Sequence, residues 1–276
     1  MTPVPARRPA PPAGFELIET GCGSFGFVRP EVAELVAGEL ERAGTLEQAC
    51  LDWADAVGLG GRGAIQAARP PAAGGADAPR WVVRPYLRGG WMARVLHDRH
   101  LALGPWRPWT EALAIEALER SGVPTVRVIA GVVHPVRGAP FGRGAPFRRG
   151  APFGRGVWYR AELVTEFVAG TRTLADLLFE SDTTESQAVR CHWLAEAART
   201  CRDVASAGVL HRDLNARNLL LDGDRLRVID LDQARRGVTA VAPAQAAMVS
   251  RLARSLRKFE GHTGHLLSAT EWRAFN

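Results

Sequence analysis

Lysine is almost missing from this chain: Lys258 is the single one among 35 basic residues, and arginine supplies the others. The formal net charge is still +6 and the pI near 9.9, which favours anionic partners such as nucleotides, phospholipids or nucleic acid. An Arg- and Ala-biased composition gives the same charge without a dedicated basic face. No run of 18 apolar residues occurs, so an apolar spanning helix is excluded. The opening MTPVPARRPAPPAG has arginines and prolines but lacks the apolar stretch of a signal peptide, and residues 1–14 are expected to be disordered. Cys22, Cys50, Cys191 and Cys201 form no C-x-x-C pair, which fits a reduced, cytosolic interior better than a disulfide framework. His97 with His100, and His262 with His265, lack nearby cysteine or carboxylate company and read as surface histidines rather than metal ligands. The basic residues fall into no recognised nucleic-acid-binding motif.

With 276 residues, 46% of them hydrophobic and 23% charged, the chain can bury a sizeable core as one large domain or two lobes. EVAELVAGELERAGTLEQACLDWADAVG, following Pro30, carries apolar residues at helical spacing, with breaks at Gly44 and Gly58. RWVVRPYL reads as a strand, and WTEALAIEALERSGVP as a helix closed by Gly122 and Pro124. TVRVIAGVVH is rich in β-formers. After it, GAPFGRGAPFRRGAPFGRG repeats a six-residue unit three times. So short a period, with Gly and Pro in each copy, builds no packed repeat and reads as an expanded loop, residues 138–156, between two strands.

Residues 209–235, VLHRDLNARNLLLDGDRLRVIDLDQAR, carry the chemistry. His211, Arg212 and Asp213 precede Asn218, then a hairpin-like LLLDGDRLRVI with Asp-Gly in its turn, and Asp230 at the end of its second strand. This is the H-R-D-L-x-x-x-N constellation of kinases followed by a strand-terminal Asp. A hydroxyl attacking a γ-phosphate needs a carboxylate to take its proton, here Asp213. Mg²⁺ beside the phosphates of ATP needs oxygen ligands, here Asn218 and Asp230. Upstream, Arg84 ends the strand RWVVR where kinases carry a lysine, and Glu111 lies on the next helix where a partner glutamate belongs, with Glu116 as the alternative. ELVTEFVAG supplies a strand ending in Glu166, the natural hinge whose backbone would hold adenine.

Two glycine-rich stretches compete for the phosphates. GCGSFGFV fits G-x-G-x-x-G-x-V, yet Gly26 stands 58 positions before Arg84 with helical sequence between. GLGGRG ends 21 positions before it, at Gly63. A phosphate-covering turn should join two antiparallel strands beside the strand of Arg84. The loop is therefore assigned to Gly60, Gly61 and Gly63, and GCGSFGFV to a turn-rich N-terminal element.

Only 46 residues follow Asp230, without an A-P-E signal or a peptide-docking segment, so a protein substrate is not expected. WVVRPYLRGG, SGVPTVRV, ELVTEFVAGTRTLADLL, HRDLNARNLLLD, VIDLDQAR and RLARSLRK resemble, in that order, the 3-deoxy-D-manno-octulosonic acid (Kdo) kinases of the lipopolysaccharide kinase family, over about residues 55–260. The resemblance implies a kinase-like bilobal α+β fold, with a small β-rich N-terminal lobe and a mainly helical C-terminal lobe. It implies ATP with Mg²⁺, and phosphorylation of the Kdo sugar, at its 4-hydroxyl, on a lipid A precursor. The setting would be the cytoplasmic face of the inner membrane, with peripheral membrane association. It makes Asp213 the catalytic residue, Asn218 and Asp230 the metal ligands, Arg84 the phosphate contact and Glu111 its partner. Arginine at 84 and Asp232 where kinases have glycine depart from the general kinase pattern.

The expected division is a helical N-terminal extension at 15–54, an N-terminal lobe at 55–166 and a short C-terminal lobe at 167–276. For the anionic glycolipid, Arg88 and Arg94 are the expected contacts. They cluster with Arg99, Arg107, Trp91, Trp106 and Trp109 in a pattern suited to a headgroup surface. A heptose or other small sugar as acceptor, and a nucleotide-binding pseudokinase, remain as alternatives.

Overall fold

A computed structural model describes residues 9–21, 23–53, 55–59, 65–71, 79–87, 99–101, 105–136, 158–180 and 185–275. The chain divides into two units, Met1–Ala112 with Arg127–Phe167, and Leu113–Val126 with Val168–Asn276. Residues 113–126 count with the second unit. Among the described residues no helix is long and apolar enough to cross a membrane.

The first unit is built on an antiparallel sheet. Its strands are β1 (Glu16–Glu19), β2 (Phe25–Val28), β3 (Val57–Gly58), β4 (Gln66–Ala68), β5 (Trp81–Pro85), β6 (His100–Leu101), β7 (Val128–Val136) and β8 (Trp158–Glu166). Their spatial order is β1-β2-β7-β8-β5-β4-β3, with β6 also pairing β8. β7 reads as a nearly continuous apolar run because both faces of the sheet are covered. On one face lie α1 (Ala33–Ala43) and α2 (Leu46–Asp52), whose Val36, Leu40, Leu46 and Cys50 pack with Val83, Ala130, Val132 and Val164. Gly44, at φ 80°, closes α1 as the sequence expects. Glu162 of β8 fixes the start of α2 by accepting the Leu46 N–H at 2.8 Å, a charge-assisted bond at a helix N-terminus.

The other face holds aromatics. Strand alternation sends Phe25 and Phe27 to one side of β2 and Gly26 and Val28 to the opposite side. Phe27 lies 4.7 Å from Trp109 and Phe25 5.3 Å from Trp106 between ring centroids, both edge-on. Trp109 sits in α3 (Arg107–Arg120) and Trp106 just before it, and both are buried.

Four expectations change here. Trp106 and Trp109 are core residues and cannot form part of a headgroup surface, while Trp91, Arg88 and Arg94 lie outside the described residues. His100 is buried, not superficial, because its Nε2 reaches the Tyr86 carbonyl at 2.9 Å. Segment 15–54 is not a separate helical extension, since β1 and β2 join the sheet through β7 before the helices begin. Finally, residues 9–14 are held in place: Pro12 is buried, and the Trp109 indole N–H donates to the Ala10 carbonyl at 2.9 Å. Residues 1–8 and the repeat at 138–156 lie outside the described residues.

The second unit is mainly helical. It contains α4 (Leu174–Phe179), α5 (Gln187–Ser206), α6 (Val241–Thr263) and α7 (Ala269–Phe275). Two ribbons accompany them, β9 (Val209–Leu210) with β12 (Arg235–Arg236), and β10 (Leu219–Asp222) with β11 (Arg225–Val228). Thr173 and Asp176 form a reciprocal capping box that starts α4. Arg190 of α5 pairs with the buried Glu271 of α7, and α6 presents Ala244, Met248, Leu252 and Leu256 inward at helical spacing. Cys50, Cys191 and Cys201 are free thiols, and burial pushes those of Cys50 and Cys201 up to about 12. At that value neither is a nucleophile near neutral pH.

Candidate active site

The H-R-D stretch of the second unit forms a turn wired largely through its own polar groups. His211 is buried, its Nε2 donates to the Ile229 carbonyl at 3.1 Å, and its Nδ1 accepts the Asp213 N–H at 3.3 Å. A neutral imidazole satisfies both partners. Protonation would set an N–H against an N–H, and burial accordingly holds the His211 pKa below its ordinary value, against the opposing pull of the Ile229 carbonyl. The Asp213 carbonyl accepts from Asn215 Nδ2 and Asn218 Nδ2, each at 3.2 Å, and Asn215 Oδ1 accepts the Arg217 N–H at 2.9 Å. These bonds fix the loop backbone and leave the Asp213 carboxylate outside, 55% exposed.

Asn218 then leads directly into the hairpin of β10 and β11, and its carbonyl accepts the Ile229 N–H at 3.0 Å. That bond ties the start of the hairpin to the residue before Asp230. The second strand ends at Val228, and Asp230 follows with φ 61°, a left-handed conformation that aspartate tolerates better than most residues. Because Asn218 spends its amide nitrogen on Asp213, its Oδ1 is the oxygen left to act as a ligand. An amide oxygen and a carboxylate are hard donors of the kind Mg²⁺ prefers, and Mg²⁺ draws its remaining ligands from phosphates and water. Among the described residues no group of three or more His, Cys, Asp or Glu could hold a metal.

In the first unit, Arg84 of β5 and Glu111 of α3 meet, with Nη2 donating to Oε1 at 2.5 Å. Glu116, the alternative partner, instead lies 3.7 Å from Arg120 one turn further along α3. Sequence reasoning missed Tyr86. Its hydroxyl donates to Glu111 Oε2 at 2.6 Å, and two guanidinium groups lie over its ring, Arg84 at 5.2 Å and Arg107 at 5.0 Å from the centroid. The R-x-Y spacing held the clue, since it puts Tyr86 two residues beyond Arg84. Glu166 ends β8, where its N–H already donates to the Arg127 carbonyl at 2.9 Å and that of Phe167 to Arg80 at 2.8 Å.

Gly61 and Gly63 lie outside the described residues, but their flanks do not. β3 and β4 pair antiparallel, Leu59 N–H donates to the Ile65 carbonyl at 3.0 Å, and β4 pairs with the strand of Arg84. GCGSFGFV turns at the opposite edge of the sheet, with β7 and β8 between its β2 and the strand of Arg84. Its glycines answer to backbone conformation and packing: Gly23 adopts φ 90° in the turn, and a Cβ on Gly26 would come within 2.3 Å of the Gly131 carbonyl oxygen.

Sequence reasoning also missed how α6 holds the H-R-D loop. Met248 Sδ accepts the His211 N–H at 3.4 Å, Arg251 Nη2 pairs with Asp213 Oδ1, and Ser255 Oγ accepts the Ala216 N–H at 3.3 Å. Residues 248, 251 and 255 share one helix face. They contact the loop in register with its own order, 211, 213, 216.

The lipopolysaccharide kinase (Kdo/WaaP) family model matches residues 151–275. A 3-deoxy-D-manno-octulosonic acid kinase from Stenotrophomonas maltophilia (strain K279a) is 33% identical over 213 residues, 74% of this chain and 70% of that protein. One from Photobacterium profundum is 30% identical over 196 residues, 69% and 71% of the two chains. Among solved structures, WaaP in complex with acyl carrier protein superposes with a TM-score of 0.50 at 18% identity, covering 94% of this chain and 88% of that one. That likeness establishes a kinase-like α+β fold.

Proposed function

Because this chain belongs to the lipopolysaccharide kinase (Kdo/WaaP) family, we propose that it transfers the γ-phosphoryl group of ATP to a hydroxyl of the Kdo sugar on a lipid A precursor. The observation that carries this reading is the wiring of residues 211–230, which fixes Asp213, Asn218 and Asp230 on one loop and hairpin while leaving the Asp213 carboxylate exposed. Asp213 accepts the proton of the acceptor hydroxyl as its oxygen attacks phosphorus. Arg84, aligned by Glu111, holds the phosphates with a forked donor set that lysine lacks. Gly61 and Gly63, which fall in the sequence between β3 and β4, are the residues whose lack of a side chain would allow close backbone approach to the phosphates. Asn218 and Asp230 would hold Mg²⁺, whose charge would offset that of the β- and γ-oxygens. With the N–H groups of Glu166 and Phe167 already engaged, an adenine acceptor nitrogen would take its hydrogen bond from backbone further along.

Peripheral attachment to the cytoplasmic face of a membrane belongs to this reading too. With Trp106 and Trp109 in the core, it rests on charge, including the exposed Arg254, Arg257 and Lys258 of α6. Flotation with anionic liposomes should recover the protein at low salt and lose it at high salt, and recovery on neutral vesicles alone would refute the electrostatic account. For the activity, purified protein is incubated with ATP, Mg²⁺ and a Kdo-bearing lipid A precursor, and the product is analysed by mass spectrometry. One added phosphate on the Kdo residue, absent with Asp213→Asn, is the expected result. An unmodified acceptor would overturn the assignment.

A further inference from the structure

Arg251 is the side chain from α6 that touches the Asp213 carboxylate. The contact uses a single nitrogen and a single oxygen, Nη2 on Oδ1. A guanidinium carries five N–H donors in a planar fork, and a carboxylate has two oxygens. One contact therefore leaves Asp213 Oδ2 available to a hydroxyl. It leaves most of the Arg251 fork available to something else, since among the described residues Arg251 makes no other hydrogen bond or ion pair. The side chain is 42% exposed, so those donors are reachable from solvent. Its neighbours are used differently: Met248 and Ser255 engage the loop backbone, and Arg217 of the catalytic loop lies over the Phe259 ring at 5.4 Å.

A cation fixed at one end to the proton acceptor and open at the other suits an acceptor molecule that carries its own anion close to the reacting hydroxyl. A planar fork meets a carboxylate with two parallel hydrogen bonds, which also sets the orientation of the sugar ring. Building on the phosphotransferase reading above, we propose that Arg251 is a specificity-determining residue that binds the carboxylate of a sugar-acid acceptor while it holds Asp213. The enzyme thereby selects sugar acids over neutral sugars. The guanidinium also separates two carboxylates that would otherwise repel one another, that of Asp213 and that of the acceptor.

The test compares two acceptors of nearly equal size, a Kdo-bearing precursor and the same molecule with the Kdo carboxylate converted to the carboxamide. Wild-type protein should show an acceptor KM about 10- to 100-fold higher for the amide, the range expected for loss of a charged hydrogen-bonded pair. Arg251→Gln should bring the KM values of the two acceptors to within about twofold of each other by raising that of the acid, while any kcat lost through the Asp213 contact falls on both. Arg251→Lys should restore part of the preference, and added guanidinium ion should restore part of the activity of Arg251→Ala toward the acid. Equal use of both acceptors by wild-type protein, a comparison that needs no variant to fold, would overturn the proposal. So would an Arg251→Gln variant that keeps the wild-type KM difference between the two acceptors and loses only kcat, equally on both, because that is what a residue serving only to hold Asp213 would do. Failure of wild-type protein to phosphorylate either acceptor would overturn the phosphotransferase reading itself, and this proposal with it.

Discussion

Glu111→Gln keeps the shape of a buried side chain and removes its charge. The native carboxylate is 2% exposed and accepts from Arg84 at 2.5 Å and from the Tyr86 hydroxyl at 2.6 Å. Charge-assisted hydrogen bonds contribute about 1.5–3 kcal/mol each. The Arg84 side chain is 21% exposed and recovers some hydration when its partner is neutralised, so its share lies at the lower end. The glutamine carbonyl can keep one of the two donors. Its NH₂ group must then face the other, a donor against a donor. The expected loss is about 2–3 kcal/mol for Gln and about 3–5 kcal/mol for Ala, which takes the carboxylate away from both donors. Tyr86→Phe alone should cost about 1–2 kcal/mol, and combined with Glu111→Gln it should cost less than the sum of the two, because both changes remove the same bond. Urea unfolding followed by tryptophan fluorescence reads the stability, and steady-state kinetics read the KM for ATP, which should rise about tenfold in Glu111→Gln if the carboxylate aligns Arg84 for the phosphates. A variant that unfolds within about 0.5 kcal/mol of wild type and binds ATP normally would refute the argument at both levels.

The two glycine turns separate by kinetics: Gly61→Val and Gly63→Val should raise the KM for ATP, whereas Gly21→Ala, whose Cβ would meet only Glu41 at 3.6 Å, should not. Gly26→Ala should fail in folding rather than in nucleotide binding, seen as insoluble or low-melting protein, because the methyl group would run into the Gly131 backbone. Asp230→Gly, which keeps a residue suited to the left-handed φ, should transfer no phosphate; retained turnover in Mg²⁺ would reject Asp230 as a ligand. His211 is held neutral by burial, with its folded pKa depressed below 6.5. Its contribution is therefore present above pH 6.5 and is lost as pH falls through the folded value. The urea midpoint should drop between pH 7 and pH 5.5 in wild type and drop less in His211→Gln.

Segments with a strong local period were readable. RWVVR became β5, and Gly44 stopped α1 where the helical pattern broke. The loop and hairpin that carry Asp213, Asn218 and Asp230 were legible because Asp-Gly marks the turn between two β-rich runs. β1 and β2 were not, because each is four residues long and their place in the sheet depends on β7, about a hundred residues further on. The burial of Trp106, Trp109 and His100 has the same origin. Arginines interleaved with tryptophans look alike whether the rings face lipid or the phenylalanines of a distant strand. Arg251 sat inside RLARSLRK, where helical spacing gave a face but no hint of which loop that face would meet.

The strand pairing of β2 also bears on the order of synthesis. Phe25 lies opposite Val133 and Phe27 opposite Gly131, so a chain made from its N-terminus completes β2 long before β7 exists. At about 5–20 residues per second the wait is roughly 5–20 s. For that time two phenylalanines that end 6% and 0% exposed stand in water on a hairpin too small to hold itself together. The segment is thus a natural first client for chaperones on the nascent chain. Polar substitutions at Phe25 or Phe27 would ease that wait and then fail at docking, whereas changes in the facing strand β7 would prolong it, so variants at this edge alter how much protein a cell accumulates before they alter what each molecule does.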